Sequence, residues 1–341
     1  MKWLKRLALV LVIVVVAGIA LAIGTARRTE RPVGFQVVRV DSPGGPVAVA
    51  LWYPTSGTPW PTTFLGGQLL SVARNGPVAG ERLPVVLISH GNGGSALSHV
   101  DLAMELASSG YVVAAPTHAG DNYADQSRQS SPALFSQRAQ QMRSTLDHVL
   151  GPWSGASHVD RDRVGAFGMS AGAFTVLTLA GGVPRMAAIP EHCSRTPEFI
   201  CTAFAQVGSP LLAGAQGAGH FSSDPRIKAV VLAAPGLGFT FAPDGLSGVR
   251  VPVQLWSGDR DETVPFASNA GIVAAGLGDR VEAHRIAGAT HLSFLAPCGL
   301  MQPPALCADP KGFDRAAAHT AMNAEVIRFF DSHLPASAIA R

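Results

Sequence analysis

The chain keeps returning to short, mostly apolar runs: "VVLI" from Val85, "YVVAA" from Tyr111, "VGAF" from Val164, "KAVVLA" from Lys228 and "VPVQLW" from Val251, and "VEAHRI" from Val281 is grouped with them as the last strand. Between them lie stretches of helical length or spacing. "SHVDLAMELASSG" ends with Gly110 just beyond it, a second helix spans about Phe135 to Leu150, a third follows Ser170, and the last covers Arg315 to His333. Strands that are apolar on both faces must be covered on both faces, and helices placed between them give the crossovers that parallel pairing requires. The alternation therefore predicts an α/β fold: a mostly parallel central sheet with helices on both faces, forming one domain over 32–341. No internal repeat is found.

Three regions depart from this rhythm. After a short polar linker, "VAVALWYP" from Val47 alternates like a strand and stops at Pro54. Residues 55–83, rich in Pro, Gly, Ser and Thr, read as an excursion over the surface. Residues 183–225, rich in Pro, Gly and Ala, read as a cap inserted over one end of the sheet.

The first 31 residues belong to neither sheet nor cap. Lys2, Lys5 and Arg6 lead an uncharged apolar run from Leu7 to Ile23, with small residues at Ala20 and Ala22. This is the pattern of an export signal, and its length approaches the roughly 17 residues of a short membrane span. Residues 1–31 are thus a cleaved signal or an uncleaved anchor, and the body is extracytoplasmic: secreted, periplasmic or held at the membrane by that segment alone. Cys193, Cys201, Cys298 and Cys307 all lie in the second half. In an exported chain an even count reads as disulfides, and proximity favours Cys193 with Cys201 and Cys298 with Cys307. Each staple adds about 2–3 kcal/mol. Zinc held by Cys193 and His192 is the competing reading, but it lacks further ligands. Only 14% of the residues are charged, against about 25% in an average soluble protein, and the net charge of +3 forms no basic stripe. Nucleic acid is excluded as a partner.

In a parallel sheet, chemistry gathers in the loops beyond the carboxyl ends of the strands. Gly168-Met169-Ser170-Ala171-Gly172 is a G-x-S-x-G placed between an expected strand and an expected helix. That context fits a nucleophile elbow, in which a tight turn lifts the serine Oγ clear of the sheet. A serine hydroxyl needs a base, and the base needs an acid to orient it; on this fold they follow the serine in the order acid, then histidine. "SGDRDETVP" offers Asp259, Asp261 and Glu262, and "AGATHLSFL" offers His291. His284 falls inside its strand and reads as packed or solvated, whereas His90 reads as structural and His118 follows a strand end where it could line the site. The glycines of "SHGNGG" (89–94) let backbone amides turn toward an oxyanion, with the N–H of Ala171 as the second donor. No G-x-x-x-x-G-K-[ST] or Rossmann G-x-G-x-x-G is present, which excludes nucleotide binding.

Together "LWYP" (51–54), "SHGNGG" (89–94), "GMSAG" (168–172), "GDRDETVP" (258–265) and "ATHLSFL" (289–295) resemble the α/β-hydrolases. The closer resemblance is to bacterial proteins of the dienelactone hydrolase and platelet-activating-factor acetylhydrolase-like serine esterase group, over roughly residues 35–335. It implies that Asp261 is the acid, in G-x-x-D-x-x-V-P, and that Asn92 gives the other oxyanion N–H. It also implies cleavage of carboxylic esters with no metal and no organic cofactor. Dienelactone hydrolases carry a cysteine nucleophile where this chain has Ser170, so their substrate is not carried over. Compact cutinases share the serine, acid and histidine logic but little of the cap. The expectation is a serine esterase acting on an uncharged small-molecule or lipid ester through an acyl-enzyme. A peptidase, thioesterase or acyltransferase on the same fold is the alternative, and a non-catalytic binding protein is a third reading. The sequence leaves the oligomeric state open.

Overall fold

The computed structural model describes residues 2–64, 67–214, 219–242, 244–299 and 302–336. In chain order the strands are β1 (Val33–Val40), β2 (Val47–Pro54), β3 (Trp60–Thr63), β4 (Leu69–Arg74), β5 (Leu83–Ser89), β6 (Val112–Thr117), β7 (Val159–Met169), β8 (Ile227–Ala233), β9 (Val253–Gly258) and β10 (Val281–Ile286). The helices are α1 (Lys2–Thr25), α2 (Val100–Ser108), α3 (Leu134–Leu150), α4 (Ala171–Leu179), α5 (Ile189–Arg195), α6 (Phe199–Gln206), α7 (Ala270–Leu277), α8 (Pro304–Cys307) and α9 (Arg315–His333).

All ten strands form one sheet in the order β10-β9-β8-β7-β5-β6-β2-β1-β4-β3. The run from β10 to β6 is parallel, whereas β2 pairs antiparallel with β6 and with β1. β5 is buried at all seven positions and carries Val, Leu and Ile on both faces, which is why it lies near the middle. One apolar cluster packs α3, α4 and α7 on one face of the sheet, with Phe135, Phe174 and Val273. A second packs α2 and α9 on the other face, with Leu102, Met104 and Val326. α3 reaches the sheet because Phe135, Ala139, Met142, Leu146 and Val149 recur every three or four residues and are all buried.

Three expectations are corrected. Residues 33–40, read as linker, form β1, whose partner is β2 in register from Val33–Pro54 to Val40–Val47. Residues 55–83 do not simply skirt the surface: β3 and β4 lie there and extend the sheet beyond β1. β10 is not apolar on both faces. It is an edge strand with every position at least partly exposed, so its outer side chains meet water and a polar alternation is tolerated.

In the stretch 183–225, α5 and α6 form a short helical pair, and residues 215–218 lie outside the described residues. Disulfides join Cys193 to Cys201 and Cys298 to Cys307. Cys193 is therefore no zinc ligand, and His192 instead bonds Glu198 and stacks on Phe239 with ring centres 3.6 Å apart. α1 is apolar and long enough to cross a membrane, and none of its residues is buried against the body.

Candidate active site

Because β5, β7, β9 and β10 are parallel, the segments following them converge at one edge of the sheet, and Asn92, Ser170, Asp261 and His291 lie just past those four strand ends. Ser170 occupies the turn between β7 and α4 with φ 57° and ψ −121°, a backbone conformation that ordinary residues avoid. Three backbone bonds hold it there: its N–H donates to Ala233 O (2.9 Å), and its carbonyl accepts from Phe174 N (3.1 Å) and Gly236 N (3.2 Å). The flanking glycines are a steric necessity. A Cβ on Gly172 would overlap the carbonyl oxygen of Ser89, and one on Gly168 would overlap that of Gly172.

His291 begins a short 3-10 turn capped by Thr290 and Ser293. Its Nδ1 lies 2.8 Å from Asp261 Oδ2 and its Nε2 lies 2.9 Å from Ser170 Oγ. A carboxylate only accepts, so Nδ1 carries the proton, and Nε2 is left to accept from the serine hydroxyl. The other carboxylate oxygen of Asp261 accepts from the N–H groups of Thr263 (3.0 Å) and Val264 (2.9 Å), which fixes the acid in place. Asp259 and Glu262 point elsewhere: both are exposed, and Asp259 accepts from Gly288 N. His284 stacks on Trp256 and bonds Glu282, away from Ser170.

The loop after β5 passes close to the serine: a Cβ on Gly91 would lie 3.4 Å from Ser170 Cβ. Among the described residues, neither the Asn92 N–H nor the Ala171 N–H donates within the protein. Both residues line the cavity beside Ser170. That arrangement can receive negative charge on a substrate oxygen at the N-terminus of α4.

Under this loop lies a buried polar network that sequence reasoning missed. Arg138 and Asp121 form an ion pair (2.6 Å) with both side chains fully buried. Asp121 Oδ1 accepts from Gly93 N (3.0 Å) and Asn92 Nδ2 (2.7 Å), and Arg138 also donates to the carbonyl of His90. His118 does not line the site. It is buried below it, donating from Nδ1 to Gln141 Oε1 (2.8 Å), so its Nε2 accepts from Ser89 Oγ (2.9 Å), while its backbone N–H donates to His90 Nε2. Burial, reinforced by the charge of Arg138, holds both imidazoles far below their usual pKa, and one neutral tautomer of each satisfies every bond. The signal that could have revealed the network is the placing of Arg138, Gln141 and Thr145 at helical spacing on the otherwise apolar inner face of α3.

A second buried pair braces His291 from behind. His319 of α9 bonds Asp101 Oδ2 through Nδ1 (2.6 Å) and the Ser293 carbonyl through Nε2 (2.9 Å). Both acceptors are oxygens, so both ring nitrogens donate and His319 is an imidazolium. Burial lowers its pKa, but Asp101 outweighs burial and the net shift is upward from 6.5; Asp101 itself is held well below the carboxylate range, because His319 outweighs the upward push of burial. The folded protein thus holds a proton at His319 that the unfolded chain releases above about pH 6.5, so this pair's stabilisation is complete below that pH and is lost as pH rises through the higher folded value. Melting temperature should fall across that interval, and His319→Gln should flatten the fall. An unchanged slope in the variant would remove His319 as its source.

The sequence model of the dienelactone hydrolase family matches residues 72–230, a stretch that includes Asn92, Ser170 and Ala171 and ends before Asp261 and His291. The chain has the α/β-hydrolase fold and, over that stretch, is similar in sequence to the dienelactone hydrolase family. The chain also resembles, in structure, a ferulic acid esterase from Streptomyces cinnamoneus, with a TM-score of 0.61 and 20% identity over 93% of this chain and 94% of the other. No curated protein matches the chain in sequence.

Proposed function

We propose that the protein is an exported serine esterase in which Ser170 is the nucleophile, His291 the general base and acid, and Asp261 the residue that orients and charge-balances the imidazole. The observation that carries this reading is the unbroken hydrogen-bonded chain from Asp261 through His291 to Ser170 Oγ. Ser170 Oγ attacks the ester carbonyl carbon as its proton passes to His291 Nε2. The carbonyl oxygen, now negative, is met by the N–H groups of Asn92 and Ala171, each worth about 3–4 kcal/mol in comparable sites. The bond to the alcohol oxygen then breaks, and that oxygen takes the proton from Nε2. Water, deprotonated by His291, attacks the acyl-enzyme and returns the acid and free Ser170.

Export is supported by the exposed apolar α1 and by the two disulfides, which persist in oxidising compartments. Uncharged esters are favoured by the walls near Ser170, where Phe135, Phe204 and Leu237 dominate. The test is to mix the full-length chain in detergent with p-nitrophenyl butyrate, quench within the first turnover and measure the mass of the peptide that contains Ser170. A butyryl increment on that serine, together with a burst of p-nitrophenol, is expected. Turnover with the increment on another residue, or no turnover across acyl lengths, would overturn the assignment.

A further inference from the structure

Ser170 stands where two unequal cavities meet. The smaller has a volume of about 60 Å³ and lies under α6, walled by Leu134, Phe135, Ile200, Ala203, Phe204 and Leu237. The larger, about 670 Å³, lies between the loop after β5 and the stapled segment that bears Cys298, Pro303 and Leu306. His291 lines only the larger cavity and Ala171 only the smaller.

This asymmetry assigns the two halves of the ester, and the assignment rests on the esterase reading above. The leaving oxygen must receive its proton from His291 Nε2, so the alcohol lies on the side that His291 lines. The acyl group is left with the smaller space beside the Ala171 N–H. That space has about a tenth of the volume of the other, which suits a short chain better than a long one.

The alcohol side also has a chemical character. Among the described residues lining it there is no Asp, Glu or Lys, and its one cation, Arg315, is held by both oxygens of Asp309 and by the Leu306 carbonyl. Gln68 also lines it and is 6% exposed; its Oε1 is buried, and its amide finds no hydrogen-bond partner among the described residues. Buried polar groups are rarely left unpaired, so an amide in this position is matched to a polar group that arrives with a ligand. We propose that the substrates are esters of a short apolar acid with a bulky, uncharged, hydroxyl-bearing alcohol, and that Gln68 reads a hydroxyl of that alcohol while α6 limits the acyl length.

The test is a matrix of four esters, acetate and decanoate, each of methanol and of methyl glucoside acylated on its primary hydroxyl, assayed with the full-length chain. The acetylated glucoside should give the highest kcat/KM, with acetate exceeding decanoate by at least about tenfold on either alcohol. Gln68→Leu should reduce the preference for glucoside over methanol about tenfold and leave the acetate-to-decanoate ratio unaltered. Ala203→Phe, which adds bulk under α6, should move only the acyl ratio. A preference for methyl decanoate would overturn the proposal, as would an intact glucoside preference in Gln68→Leu or an effect of Ala203→Phe confined to the alcohol. If none of the four is cleaved while p-nitrophenyl butyrate still acylates Ser170, this inference falls and the esterase reading stands. If Ser170 is never acylated, the esterase reading itself has failed.

Discussion

Ser170→Ala is expected to reduce kcat on p-nitrophenyl butyrate by about 10⁵–10⁶-fold and to change KM little. The residual rate reflects what the oxyanion donors and substrate positioning supply without a nucleophile. The fold should not suffer, because among the described residues the Ser170 side chain bonds only His291, and the turn is held by backbone bonds to Ala233, Gly236 and Phe174. Thermal denaturation of the variant should overlay that of the parent. Ser170→Gly gives a sharper view of the same turn. It loses the same activity, but it removes the strain of a side chain at φ 57° and should be more stable than the alanine variant by about 1 kcal/mol. A Ser170→Ala protein that keeps its turnover while folded would dismiss the serine as nucleophile.

Breaking the Arg138–Asp121 pair should have the largest effect on stability. Neither charge touches water, so removing one strands the other in a dry interior, at a cost of about 3–5 kcal/mol. Arg138→Met should also disturb the loop after β5, since the guanidinium donates to the His90 carbonyl and Asp121 gathers the Gly93 N–H and the Asn92 side chain. Loss of stability and loss of kcat should therefore appear together, the latter measured well below the variant's melting temperature. Denaturant titration of Arg138→Met, Asp121→Leu and the double variant separates the terms: the double should recover much of what either single change loses. If the singles were neutral, the pair would have no role in holding the loop.

The parallel core was legible because burial on both faces leaves an uninterrupted apolar run, and the last helix was placed at Arg315–His333, where the structure adds Asp314 as its cap, accepting from Ala317 N. β1 and β4 were not. Half of β1 faces water, so Gln36 and Arg39 interrupt it like loop residues, and β3 contains a proline that reads as a breaker. At the site, the residues just past strand ends could be named, since a strand end marks a place in the fold. Asp121 and Arg138 could not. Each is an isolated polar residue whose partner is 17 positions away, and only the fold brings loop and helix together.

The two outer strands of the sheet have a consequence for how copies of the protein behave together. β3 is four residues long and includes Pro61, which has no N–H to offer, while β10 carries Glu282, His284 and Arg285, with Arg328 beside Glu282. Short, proline-bearing or charged margins discourage another chain from adding itself as an eleventh strand. Crowding at high concentration thus finds poor ladders to extend, and the longest run of exposed apolar side chains is α1, whose leucines, valines and isoleucines stand in the open. A preparation that clumps should be cured by detergent rather than by changes to the sheet.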